Sequence, residues 1–100
     1  MHVGSPSVTS LTSNRSTSSL TCTSVGGPAT TVTWRKNGQL LIIDGNPYQQ
    51  SQIIIDSISA MYNNILHSDN PGDLVGSFTC TVNNARGSDS MSMSTNGITQ

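Results

Sequence analysis

One hundred residues make one domain's worth of chain, enough for a single modest core. Charged residues are 9% of them, against roughly 25% in an average soluble domain, and four basic side chains face five aspartates for a net charge of −1. No basic stripe exists to neutralise phosphates, which argues against a nucleic acid partner; no apolar run approaches the ~20 residues of a membrane-spanning helix, which argues against membrane insertion by this segment.

Serine and threonine together number 29, glutamate is absent, alanine occurs three times and lysine once. Strong helix formers are scarce where β-branched and hydroxyl residues abound, so the composition favours sheet. Only four residues are aromatic, and the core is expected to be thin. Cys22 and Cys80 form no C-x-x-C pair, and with only His2 and His67 to help them they make a poor metal set. No metal and no cofactor is expected. The cysteines are either a structural disulfide or two inert buried thiols.

The chain opens with "MHVGSPSV", which lacks the apolar core of a signal peptide, and its Met1 reads as the start of an excised segment. Residues 1–6 are assigned to a flexible N-terminal segment, 7–96 to one folded domain and 97–100 to a tail. A first strand is expected near Val8–Thr12. In "SLTCTSV", Leu20 and Cys22 point one way and Thr21 and Thr23 the other. After a turn signal at Gly26-Gly27-Pro28, "TVTWRK" places Val32 and Trp34 on one face and Thr33 and Arg35 on the opposite one. Asn37-Gly38 fits a two-residue hairpin turn, whose central positions need positive φ, with "QLLII" as the return strand. Asp44-Gly45-Asn46-Pro47 marks another turn.

Between Tyr48 and Ser68 the pattern is weakest. Strands are expected near Gln52–Asp56 and Met61–His67, but "IIID" can be turned either way. Asn70-Pro71-Gly72 is a turn, after which "SFTCTVNN" aligns Phe78, Cys80 and Val82 against Thr79, Thr81 and Asn83. A turn around Gly87 leads to a last strand at Ser88–Thr95. No helix is expected. Short strands with turns at this spacing suggest an antiparallel sandwich.

Three stretches, "LTCTS", "VTWRKNG" and "GSFTCTVNNARG", carry a resemblance to the immunoglobulin superfamily. Trp34 follows the first cysteine by twelve residues, and Gly76 and Phe78 lead into the second. In that family a disulfide joins strands B and F across two sheets, with the strand-C tryptophan packed on it. The resemblance, which covers roughly Val8 to Thr95, implies an all-β, two-sheet antiparallel Greek-key sandwich with a Cys22–Cys80 disulfide. It implies a core of Leu20, Val32, Trp34, Phe78 and Val82, with Asn84 and Gly87 shaping the F–G corner. A disulfide across a 58-residue loop further implies an extracellular setting. Two positions depart from the family pattern. Phe78 stands where a tyrosine hydroxyl usually bonds back to the E–F backbone, and Leu74 stands where an aspartate usually clamps the base of the sandwich, with Asp73 one position off. The hydroxyl-rich, glutamate-free chain is similar to invertebrate members, including the immunoglobulin-like domains of sponge receptor tyrosine kinases.

Four motifs bear on function. Asn14-Arg15-Ser16 is the one N-x-S/T sequon, a candidate glycosylation site between the first two strands. "ARGSDS" invites comparison with an Arg-Gly-Asp adhesion signal, but Ser88 separates Gly87 from Asp89, and a turn explains the stretch. "HSD", His67 to Asp69, holds three hydrolase residue types, yet neighbours on an extended chain point apart. Most informative is "LLII". If Leu40, Leu41, Ile42 and Ile43 continue strand C′, two of them face outward beside Arg35, Thr79 and Thr81, as a candidate partner face; alternatively, an edge strand curls inward and covers all four. The resulting expectation is a non-catalytic extracellular recognition module, an ectodomain piece of a receptor or adhesion protein that contacts a protein partner or its own copy. The rival is a structural spacer with no ligand of its own.

Overall fold

Alternating apolar and hydroxyl residues bury one side of a pleated strand and solvate the other, and two such sheets stacked on their apolar sides give this fold. The computed structural model describes residues 5–14, 16–26, 31–44 and 48–95. Its strands are β1 (Ser7–Asn14), β2 (Ser19–Val25), β3 (Thr31–Lys36), β4 (Gln39–Leu40), β5 (Tyr48–Asp56), β6 (Met61–Ser68), β7 (Gly76–Asn84) and β8 (Gly87–Thr95), with one 3₁₀ turn at Pro71–Leu74. One antiparallel sheet has the order β1-β2-β6-β5 and the other β4-β3-β7-β8. Of the expected turns Gly26-Gly27-Pro28 and Asp44-Gly45-Asn46-Pro47, residues 27–28 and 45–47 lie outside the described residues, as do residues 1–4 of the N-terminal segment 1–6 and the whole of the tail 97–100.

Trp34 lies opposite Cys80 in the β3–β7 register, and Cys80 is bonded to Cys22 of β2, so the largest core side chain sits beside the covalent link between the sheets. Leu20, Cys22, Trp34, Leu66, Phe78, Cys80 and Val82 are all fully buried. In the chain-entropy model, closing this loop stabilises the fold by about 4 kcal/mol. The Trp34 indole N–H has no acceptor among the described residues; its place in the core rests on volume. Val32, expected in the core, is only half-buried near the start of β3, where it packs against the edge of the buried cluster.

Local geometry follows the turn chemistry. Asn37 (φ +53°) and Gly38 (φ +84°) make the β3–β4 hairpin turn. The Asn37 backbone N–H donates to Ser77 O (2.7 Å) and its Oδ1 accepts from Ser77 N (3.0 Å), which holds the turn against the start of β7. At the other hairpin, Asn84 Oδ1 accepts from the N–H groups of Arg86 (2.8 Å) and Gly87 (3.2 Å).

The return strand is shorter than "QLLII". β4 ends at Leu40, one further backbone bond runs from Leu41 N to Trp34 O (2.9 Å), and the chain then leaves the edge. Leu41 and Ile43 pack against the core while Leu40 and Ile42 are 63% and 73% exposed. The chain must cross here to the other sheet, and turning two side chains inward along the crossing replaces ladder bonds with apolar burial. The curl that would cover all four residues is not present.

The corner before β7 solves the two departures in another way. The Tyr48 hydroxyl, at the start of β5, donates to Asp73 O (2.7 Å), and Lys36 Nζ donates to the same carbonyl (3.2 Å). The Asp73 carboxylate accepts from Ser68 Oγ (2.8 Å). Lys36 Nζ also stands 5.9 Å from the centre of the Phe78 ring, within cation–π range. A tyrosine from β5 thus reaches the corner backbone that Phe78 cannot bond, and the Asp73 carboxylate ties the corner to Ser68.

Tyr48→Phe removes this bond while keeping the ring, and Lys36 still serves the Asp73 carbonyl. A loss of about 0.5–1.5 kcal/mol is expected, read by chemical denaturation. No loss at all would show that the corner does not depend on the Tyr48 hydroxyl.

Candidate protein-contact face

The outward positions of the β4-β3-β7-β8 sheet are fixed by the inward ones. With Trp34, Cys80 and Val82 inside, Arg35, Thr79, Thr81 and Thr33 point to solvent. Cross-strand register places Leu40, Arg35, Thr79 and Ser92 in one row and Thr33, Thr81 and Ser90 in the next. Thr79 Oγ1 and Ser92 Oγ share a 2.7 Å hydrogen bond. The face is therefore a hydroxyl-rich floor with a single cation, bordered at its β4 edge by exposed Leu40 and Ile42. Of the four residues "LLII", two reach this face and two do not.

The other motifs fall into place around the sandwich. Asp89 Oδ2 accepts from Val8 N (2.8 Å), tying β1 to β8, so its carboxylate serves the fold. His67 Nε2 lies 3.4 Å from Asp69 Oδ1, but Ser68 is fully buried on the opposite side of β6 and donates to Asp73. The three residues of "HSD" do not assemble. Asn14 is exposed at the end of β1, and its Oδ1 accepts from Ser16 N (3.0 Å), Ser16 Oγ (2.7 Å) and Thr17 N (3.3 Å); Arg15 lies outside the described residues. A shallow hollow on the outside of the other sheet is lined by Asn14, Thr21, Gln49, Ile65 and His67, among others. Among the described residues no group of three or more His, Cys, Asp or Glu side chains is arranged to hold a metal ion.

Sequence reasoning missed a second apolar surface. Ile53, Ile54 and Ile55 of β5 are 53%, 61% and 49% exposed, and Ile58, in the turn after it, is 96% exposed. The available signal was the preceding "QQSQ": a strand polar on both faces belongs at an edge, where neither face is covered.

The family model described as "Immunoglobulin domain" matches residues 2–84. A search of curated proteins finds no match. Among solved structures, a titin fragment aligns at 23% identity with a TM-score of 0.62, covering 90% of this chain and 46% of that one. Titin M4 aligns at 14% identity and TM-score 0.61, covering 94% and 96%. The eight N-terminal immunoglobulin domains of Down Syndrome Cell Adhesion Molecule align at 18% identity and TM-score 0.58, covering 88% of this chain and 10% of that one. The chain thus spans about half of the first of these structures and a tenth of the last. At these identities the likeness concerns the fold.

The placement of Asp89 yields a test. Asp89→Ala frees the Val8 N–H and is expected to destabilise the domain by about 1 kcal/mol, with hydrogen exchange at the start of β1 accelerating most. Unchanged stability and exchange would return Asp89 to the pool of free surface carboxylates.

Proposed function

The chain belongs to the immunoglobulin domain family, and from that premise we propose that it is a non-catalytic recognition module that contacts a protein partner through the β4-β3-β7-β8 face. The observation that carries this reading is the pair Leu40 and Ile42, exposed beside Arg35 at the border of a hydroxyl floor. Each apolar side chain removed from water contributes about 1.5–3 kcal/mol when fully buried, and an arginine beside such anchors adds directional hydrogen bonds. Thr79, Thr81, Thr33 and the facing serines offer short donors and acceptors that lose little rotamer freedom on contact.

The setting we propose is extracellular, as part of a receptor or adhesion protein. The Cys22–Cys80 disulfide supports it, because such links persist in oxidising compartments. The fold likeness to Down Syndrome Cell Adhesion Molecule is consistent with it. Asn14, exposed and engaged with Ser16, is the acceptor we propose for a glycan in that compartment. The spacer reading has its own support: most of the face is uniformly polar, and titin tandem immunoglobulin domains share the fold at 20% identity.

Replacing Leu40 and Ile42 together by serine separates the two. Under the recognition reading, binding to native cell-surface protein weakens by tenfold or more while the melting temperature stays within a few degrees, since neither side chain is in the core. Under the spacer reading, neither quantity changes. A collapse of the fold would show that the pair is needed inside.

A further inference from the structure

The two long sides of the sandwich are finished differently. On one side β1 lies against β8 and is bonded to it through Val8 and Asp89. The disulfide sets β2 over β7, so the orders β1-β2-β6-β5 and β4-β3-β7-β8 place β5 and β4 together on the opposite side. There a nine-residue strand faces one of two residues. From Gln49 onward every residue of β5 is exposed, including Gln50, Gln52 and Ile54, which share the inward side with Tyr48.

An edge strand presents a row of unpaired backbone donors and acceptors, and proteins blunt such rows with lysine, proline, bulges or short length. β5 has no proline and no basic residue, and its one charge, Asp56, is its last residue. Its single bulge falls between Ile54 and Asp56, which leaves Tyr48–Ile54 in regular register with β6. We infer that β5 is an interface for a second copy of this chain, joined edge to edge by antiparallel pairing across a two-fold axis.

A second copy suits this edge for two reasons. Antiparallel pairing about a two-fold axis is self-complementary, each copy offering the other the same strand. The paired segment carries no charge, so like copies meet without repulsion, and the net charge of −1 adds little at longer range. The area allows only a weak dimer. Seven paired residues extend about 24 Å and one sheet layer is about 10 Å deep, so the contact covers roughly 250 Å² per copy. The total of roughly 500 Å² lies below the range of stable specific interfaces, and the affinity rests on main-chain hydrogen bonds along the paired edge. β4 lies beside β5 on this side of the sandwich, but Leu40 points outward from its own sheet with Arg35, so separate variants test the two proposals.

Analytical ultracentrifugation of the chain from about 10 µM to about 1 mM tests the inference, with Ser51→Lys/Ile53→Lys and Leu40→Ser/Ile42→Ser run alongside. The expected result is a reversible monomer–dimer equilibrium, weakened tenfold or more by the lysines and unaltered by the serines. Hydrogen exchange on the unmodified chain gives the same answer should the lysine variant fail to fold: β5 amides gain protection with concentration while those of β1 and β8 do not. A monomer throughout the range, or a dimer lost in the serine variant and kept in the lysine variant, overturns the inference.

Discussion

The contact between Trp34 and the Cys22–Cys80 bridge is the constraint on which the rest of this structure depends. With four aromatic residues in the chain, no other side chain fills the space between the sheets as widely, and the bridge fixes β2 over β7 at that level. From that point the registers propagate: Trp34 opposite Cys80 sets Arg35 opposite Thr79, and Cys22 opposite Asn64 sets Leu20 opposite Leu66. Because strand side chains alternate, this register decides at once which residues are core and which are surface. The polar surface row and the apolar core row are two consequences of one placement.

A thin core makes polar groups inside it consequential. Asn64 is fully buried beside the bridge, yet its Nδ2 donates to Cys22 O (3.1 Å) and Ser24 Oγ (3.3 Å), and its Oδ1 accepts from Gln52 Nε2 (2.7 Å). The corner at Asp73 works in the same way, drawing donors from Tyr48, Lys36 and Ser68. Satisfied networks of this kind penalise any slip in pairing, since a shift of one residue strands a buried amide. The hydroxyl-rich composition thus supplies register where a larger core would supply it by packing.

This division also marks what could be read from the sequence. The strands bearing Cys22, Trp34 and Cys80 were legible because apolar and polar residues alternate there, and Asn37-Gly38 announced its own turn. β6 was harder to read because its buried side carries Asn64, Leu66 and Ser68 while Ile65 and His67 lie on the more open side. An apolar-inside rule leaves that strand ambiguous, with Tyr62 and Leu66 on one side and Met61 and Ile65 on the other. Tyr48 was illegible for a different reason: its partner is a backbone carbonyl 25 residues away, and no local pattern announces such a bond. Alternation predicts that two of Leu40 to Ile43 face outward, and the structure makes them Leu40 and Ile42 even though the strand stops at Leu40, because an extended chain keeps its period of two after the ladder ends.

The asymmetry between the two sides of the sandwich follows from that same early stop. Once β4 ends, the chain spends Leu41 and Ile43 on the core and crosses to the other sheet, so among the described residues little of the facing sheet extends over the inward side of β5 beyond Tyr48. A side chain there gains little from being apolar, which accounts for Gln50 and Gln52, and Gln52 is held by Asn64 rather than by packing. Ile53 to Ile55 run against this logic: β-branched residues favour the extended backbone, but a strand needs only hydroxyls for that, as β8 shows with its alternating serines. Three consecutive isoleucines at an uncovered edge contribute little to the isolated domain. Their contribution becomes large only when another surface covers them.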